Sequence, residues 1–230
     1  VATPVMTMTS FRVAPRESHL ERAKRIVGYL TKFNTACIRY RTEMPDYSDL
    51  QPPDYSWLRS VYGEVREQRP PDAPPPKGKT VRTTTCKDAN LYHDMATGRS
   101  VTGILHFLNG TPIDWYSKKQ PTVETATYGS EFGAAKVAIQ QITALRVTLQ
   151  YLGVPIEDTA YLFGDNSSVV TSSTVPHSQL SKRHHALAHH FAREAIASGM
   201  VTFSHIASEI NPADTLSKHW DHATIYPILK

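Results

Sequence analysis

A single long helix does the most to limit the folds open to this chain. From Ala126 to Leu152, apolar residues recur at helical steps, with Phe132, Ala135, Ile139, Ile142, Leu145, Leu149 and Leu152 on one stripe. The helix separates two strand-like runs, Val81–Asp88 and Ala160–Gly164. A helical connection of this length makes the two runs natural parallel neighbours joined by a crossover, with their carboxyl ends together. Between the first run and the helix, Val101–Leu108 and Ile113–Ser117 flank Asn109-Gly110, a strong hairpin signal, so three strands form a meander. After Gly164 the pattern predicts a short helix near Ser167–Ser172, a helix over Gln179–Ala197, a strand over Met200–Ile206 and a last helix over Pro212–His219. The fold class is therefore α/β, a five-stranded mixed sheet flanked by helices.

The segment Arg69–Lys79, with Pro70, Pro71, Pro74, Pro75 and Pro76, can enter neither a helix nor a central strand and reads as a semi-rigid spacer. Before it, Pro15–Thr31 carries Leu20, Ala23, Val27 and Leu30 at helical spacing with Arg16, Arg22, Lys24 and Arg25 elsewhere, while Met44–Ser60 is loop-like. The division expected is an appendage over 1–68, a linker over 69–79, the α/β domain over 80–222 and a tail over 223–230. The net charge of +4 lies wholly in the first part, and residues 81–230 are balanced. A basic surplus favours polyanions such as nucleic acid. No apolar stretch approaches the roughly 20 residues that span a bilayer, so no membrane partner is expected and the setting is cytoplasmic or nuclear, not secreted. Cys37 and Cys86 have neither metal-ligand spacing nor the density of a disulfide scaffold.

Four acids stand at informative places. Asp88 and Asp165 end the two parallel runs, on the sheet edge where ligands bind in open α/β sheets. At about 100° per residue, Glu131 falls within the arc of Phe132, Ile139 and Leu149 and so points toward the sheet, whereas Glu124 precedes the helix. Asp214 follows Asn211-Pro212-Ala213 at a helix start. Taken singly, each is better explained as a solvated cap or turn residue. If they converge, two unit charges about 4 Å apart repel by roughly 4 kcal/mol at an effective dielectric of about 20, so a cation must sit among them. Oxygen donors without histidine or cysteine suit Mg²⁺.

The motifs that follow in order over residues 81–219 are Asp88-Ala89-Asn90, Gly98-Arg99-Ser100-Val101-Thr102-Gly103, Trp115-Tyr116-Ser117-Lys118-Lys119-Gln120, Thr127-Tyr128-Gly129-Ser130-Glu131-Phe132, Gly164-Asp165-Asn166, and Asn211-Pro212-Ala213-Asp214 with Leu216-Ser217-Lys218. Together they resemble the ribonuclease H domain of copia-type LTR-retrotransposon Pol polyproteins. Pro15-Arg16-Glu17 and His19–Arg25 resemble the end of the preceding reverse transcriptase, its thumb or connection segment. The resemblance implies a ribonuclease H-like fold with a small helical or irregular N-terminal appendage. It further implies an endonuclease that cuts the RNA strand of RNA–DNA hybrids, with the upstream reverse transcriptase of the same polyprotein as partner. It makes Asp88, Glu131, Asp165 and Asp214 both the catalytic residues and the ligands of two Mg²⁺ ions, with Mn²⁺ as a substitute and no small-molecule cofactor. Arg99, Ser100, Lys118, Lys119, Thr127, Tyr128 and Asn166 are the residues it sets against the nucleic acid.

The chain also departs from the family pattern. The stretch Ala207–Ile210 before the fourth acid carries Glu209 where many ribonucleases H have a histidine, and Lys87 beside the first acid is less apolar than a central strand favours. No Tyr-x-Asp-Asp polymerase motif is present. The run His184–His190 holds histidines at i, i+4, the spacing of zinc ligands, but lacks the glutamate or cysteines that would complete a known zinc motif; an ordinary helix face, with Arg193 and Glu194 pairing locally, is the better reading. Two other functions remain in play: an inactive nucleic-acid-binding or connection module of a decayed retroelement, and an integrase- or transposase-like nuclease. The latter chemistry usually has its glutamate last, whereas Glu131 comes second here.

Overall fold

A computed structural model describes residues 1–35, 37–50, 56–176, 185–221 and 223. The helices ahead of the sheet are α1 (Ala2–Thr9), α2 (Glu17–Lys32) and α3 (Ser56–Tyr62). The sheet domain runs β1 (Thr83–Asp94), β2 (Arg99–Leu108), β3 (Thr111–Lys119), α4 (Thr127–Tyr151), β4 (Ala160–Gly164), α5 (Ser167–Thr174), α6 (Ala186–Ala197), β5 (Val201–His205) and α7 (Asp214–Ser217), with a 3₁₀ turn at Ser208–Ile210. The start of the expected Gln179–Ala197 helix and almost all of residues 223–230 lie outside the described residues.

The five strands lie in the order β3-β2-β1-β4-β5. β1, β2 and β3 pair antiparallel, while β4 runs parallel to both β1 and β5. This is the five-stranded mixed sheet, flanked by helices, of a ribonuclease H-like fold. The β2–β3 hairpin turns at Asn109 and Gly110, both at positive φ (49° and 76°), as a tight turn of opposite hand requires. β1 is longer than its sequence pattern indicates: Asp88 sits inside the strand, paired with Gly103, and an irregularity between Asn90 and Asp94 then carries the strand on to the hairpin. The run Asn90 to Asp94, with Asn90, His93 and Asp94 polar, hides this extension because it continues the strand only as half of a two-stranded ribbon.

The main core lies between the sheet and α4, α5 and α6. Phe132, Ile139 and Ile142 of α4 meet Leu162, Phe203 and Ile196, all essentially without solvent contact. On the opposite face, Cys86 and Phe163 pack with Ala213 ahead of α7. Burial pushes the Cys86 thiol up to about 12, leaving it inert at neutral pH.

Packing continues past the Pro-rich stretch into the preceding segment. Met44–Ser60, which reads as loop, ends in a helix: Leu58 of α3 is fully buried in the main core, Trp57 Nε1 donates to the Thr174 carbonyl at 3.2 Å, and Arg193 lies 4.2 Å over the Trp57 ring. Arg193 thus packs against the N-terminal segment. Tyr47 and Leu50 cover the other face of the sheet, Tyr47 with its hydroxyl 3.1 Å from Thr84 Oγ1. Buried Arg146 is held by Glu67 at 2.6 Å and by the carbonyls of Glu157 and Asp158 at 3.0 Å. By contrast α2 buries no residue, and its Leu20, Val27 and Leu30 stripe is exposed. No helix among the described residues is long and apolar enough to cross a membrane.

Candidate metal centre

The parallel β1–β4 ladder ends at Lys87 opposite Gly164, so the next residue on each strand, Asp88 and Asp165, emerges at the same edge. α4 crosses this edge with its second turn, where Phe132 anchors the helix in the core and Glu131 turns to the strand. Glu131 Oε1 accepts the Ala89 backbone N–H at 3.2 Å, and its Oε2 forms an ion pair with Lys87. Asp88, Glu131 and Asp165 each offer an oxygen, and these atoms all lie within 4.8 Å of one another. Asp88 is 1 % and Glu131 2 % exposed, while Asp165 is partly open and accepts a hydrogen bond from Ser208 Oγ at 2.9 Å. Among the described residues this is the one such group of potential metal ligands.

The fourth acid arrives from the opposite face of the sheet. Asn211, fully buried, donates through Nδ2 to the Lys87 carbonyl at 3.1 Å and accepts the Ala213 N–H at 3.1 Å, which pins the loop to β1. α7 then lies on β2 over Gly103, and a Cβ there would meet the Ala213 carbonyl oxygen at 2.6 Å. Ser217 Oγ donates to Asp88, while Lys218 reaches both Asp214 oxygens at 2.9 and 3.0 Å and Asp88 Oδ2 at 3.5 Å. Asp214 therefore stands beside the three-acid group, with the Lys218 ammonium between it and Asp88, and is not one of the three.

Electrostatics records the crowding. Burial, helped by Asp88 and Asp165 and opposed by Lys87, pushes Glu131 up to about 7. Burial and Asp88 also push Asp214 up to about 7 against the pull of Lys218. Burial alone would lower the pKa of Lys218, but the carboxylates of Asp88, Asp214 and Asp165 together raise it. Such a cluster has more negative charge than its lysines offset, which is the condition for taking up a cation.

An open cavity of about 370 Å³ fronts the cluster, and Asn90, Thr127, Asn166 and Lys218 line it together with Asp88, Glu131 and Asp165. Thr127 is the exposed first residue of α4, and Asn166 caps α5 by accepting the Val169 N–H at 3.2 Å. The remaining residues set against nucleic acid by the resemblance do not line this cavity. Arg99 is exposed at the start of β2 and Ser100 beside it is fully buried. Lys118 lies 5.2 Å over the Tyr116 ring, and Lys119 is tied at 2.6 Å to Asp94 and to Ser10. Tyr128 packs on Phe132 and His185.

Of three other residues, His205 and Lys87 touch the site and Glu124 does not. His205 Nε2 donates to the Asp165 carbonyl at 3.1 Å; it ends the β5 run, and the parallel pairing of His205 with Gly164 was enough to set it there. Glu124, which sequence reasoning set aside, is buried with an oxygen 3.2 Å from His185 Nε2, away from the cluster. Lys87 points inward. In the histidine run, His185 and His189 are buried and His189 packs on Phe132, while His184 lies outside the described residues.

No family model matches the chain. It is 28 % identical over 144 residues to the retrovirus-related Pol polyprotein from transposon RE2 of Arabidopsis thaliana, covering 62 % of this chain. A second Pol polyprotein, from transposon TNT 1-94 of Nicotiana tabacum, is 28 % identical over 131 residues, or 57 % of this chain. The chain resembles the Pol polyproteins of transposons. The match takes in 10 % of the length of each Pol relative, so it concerns one segment of a much longer protein. Among solved structures, the N-terminal RNase H domain of rv2228c from Mycobacterium tuberculosis covers 65 % of this chain and 96 % of its own at 12 % identity and a TM-score of 0.47. RNase H1 from Halobacterium salinarum covers 59 % and 94 % at 15 % identity and 0.46.

Proposed function

We propose that the chain is a metal-dependent ribonuclease H, an endonuclease that hydrolyses the RNA strand of RNA–DNA hybrids beside the reverse transcriptase of the same Pol polyprotein. The observation that carries this reading is the meeting of Asp88, Glu131 and Asp165, from two strands and a helix, at the carboxyl edge of the sheet. The donor set fits a hard divalent ion: it is oxygen only, two of the acids are buried, and the local charge is unbalanced. Mg²⁺, or Mn²⁺ in its place, would sit within the group formed by Asp88, Glu131 and Asp165 with Asp214 alongside, and when bound it supplies a lowered pKa for the attacking water and charge stabilisation at the leaving 3′ oxygen.

The chain's own groups do the positioning. Asn90, Thr127 and Asn166 offer amide and hydroxyl groups along the cavity wall, within a site where the 2′-hydroxyl can tell RNA from DNA. Lys218 has a 35 % exposed side chain, so its ammonium can turn from the carboxylates to a phosphate. A net charge of +4 favours the polyanion as a whole. Products would carry 5′-phosphate and 3′-hydroxyl ends. One observation favours the second reading, a non-catalytic binding module: Lys87 and Lys218 already neutralise part of the cluster.

The two readings part in one assay. The purified chain is given labelled RNA–DNA hybrid, single-stranded RNA and duplex DNA in Mg²⁺, with and without EDTA. Cleavage of the hybrid alone, stopped by EDTA, is expected. Binding of hybrid without cleavage in Mg²⁺ or Mn²⁺ would replace the nuclease with the binding module.

A further inference from the structure

Lys87 is a fully buried cation built into the wall of the acidic cluster. Its side chain has no solvent exposure, its ammonium forms an ion pair with Glu131 Oε2 and lies 3.5 Å from the Glu131 carbonyl, and the Phe203 ring closes the far side at 5.9 Å. The space it occupies exists because residue 164 is glycine: a Cβ there would collide with Lys87 Cε and approach Nζ to 2.9 Å. Leaving Glu131 would strand a buried ammonium without its counter-charge. Lys218, by contrast, is 35 % exposed and can leave the acids for water.

The two lysines therefore differ in kind, one a movable counter-ion and the other a permanent one. We infer that the Lys87 ammonium takes the cation position on the Glu131 side of the cluster, so that this centre holds one divalent ion where the resemblance implies two. Glu131 then acts as a positioning residue, fixed by Lys87 and the Ala89 N–H, and Asp88 and Asp165 carry the ion. A second divalent ion against Glu131 Oε2 would share that oxygen with a fixed positive charge that cannot withdraw.

The inference rests on the metal-centre reading above, and ion counting separates the two. Mn²⁺ bound per chain is measured by electron paramagnetic resonance and calorimetry, with and without an RNA–DNA hybrid whose RNA strand is 2′-O-methylated to resist cleavage. Wild type, Lys87→Met and Lys87→Met/Glu131→Gln are compared, with folding checked by circular dichroism. We expect one ion for the wild type under both conditions, two for Lys87→Met, and one again for the double variant, which has lost the freed carboxylate. Two ions in the wild type would overturn the role of Lys87 and leave the metal centre standing, and this count decides even if Lys87→Met does not fold. One ion in a folded Lys87→Met would also overturn it. No ion in any protein would remove the metal centre and this inference with it.

Discussion

At the scale of single residues the centre is defined by acids held where acids are unwelcome. Glu131 and Asp214 ordinarily ionise at 4.5 and 3.8, and in the folded protein both are pushed up to about 7. Between those limits the unfolded chain has released protons that the folded chain retains. The unfolded state then binds fewer protons, so stability falls as pH rises through the window and levels off above about 7. Metal-free protein should therefore melt at a lower temperature at pH 7.5 than at pH 5 so far as these two groups act. Added Mg²⁺ should raise the melting temperature more at the higher pH, because the ion needs ionised carboxylates. Melting curves at several pH values with and without Mg²⁺ check this, and a Mg²⁺ effect that shrank with rising pH would count against the assignment. Sequence made these residues findable because Glu131, Asp165 and Asp214 sit at or near an element end and Asp88 directly follows the stretch of β1 that pairs with β4. It could not show the inward turn of Lys87, since strand alternation permits a lysine at that position to face either side and only the missing side chain at Gly164 gives it room.

At the scale of elements, the placing of Asp214 beside the other three acids depends on how closely α7 lies on the sheet. Gly103, opposite Asp88 in β2, has the Ala213 carbonyl oxygen 2.6 Å, and Leu216 Cβ and Ser217 N each 3.0 Å, from where a Cβ would stand. Backbone oxygen cannot give way as a flexible side chain does. Gly103→Ala should lift α7, loosen the Ser217 and Lys218 contacts to Asp88 and Asp214, and cost about 1–3 kcal/mol of stability. Urea unfolding measures the cost, and hybrid cleavage should fall with it; a variant with wild-type stability and activity would show that this close approach is dispensable. Pairing and turn were legible here, since Asn109-Gly110 fixes the hairpin and the long α4 forces the crossover. The full length of β1 was not, because its last residues mix polar and apolar side chains and carry an irregular register. Nor was α3, a short helix at the end of a Pro- and Asp-rich stretch, whose apolar Trp57 and Leu58 find partners only in tertiary contact with α5 and α6.

At the scale of the molecule, the segment ahead of the Pro-rich stretch is part of the sheet domain's interior. Leu58 fills the main core and Tyr47 and Leu50 cover the reverse face, so the sheet is gripped from both sides by residues that sequence alone assigns to an appendage. Leu58→Ala should cost about 2–5 kcal/mol, as for other fully buried leucines. Thermal unfolding checks this, and a loss below about 0.5 kcal/mol, typical of surface positions, would mean that α3 is not seated in the core. The fold was readable from residues 81–219, where pattern and topology agree, while the packing of Tyr47, Leu50 and Leu58 across the Pro-rich stretch was not, because proline marks where the backbone is stiff and does not report what packs across it. The central claim, that converging acids on this scaffold make a metal-dependent hybrid nuclease, is tested most directly by cleavage of a labelled RNA–DNA hybrid in Mg²⁺ by the wild-type chain beside Asp88→Asn and Asp165→Asn. Cleavage by the wild type, with each folded variant reduced at least a hundredfold, is the result predicted; equal cleavage by wild type and folded variants, or none by a folded wild type that binds hybrid, would contradict it.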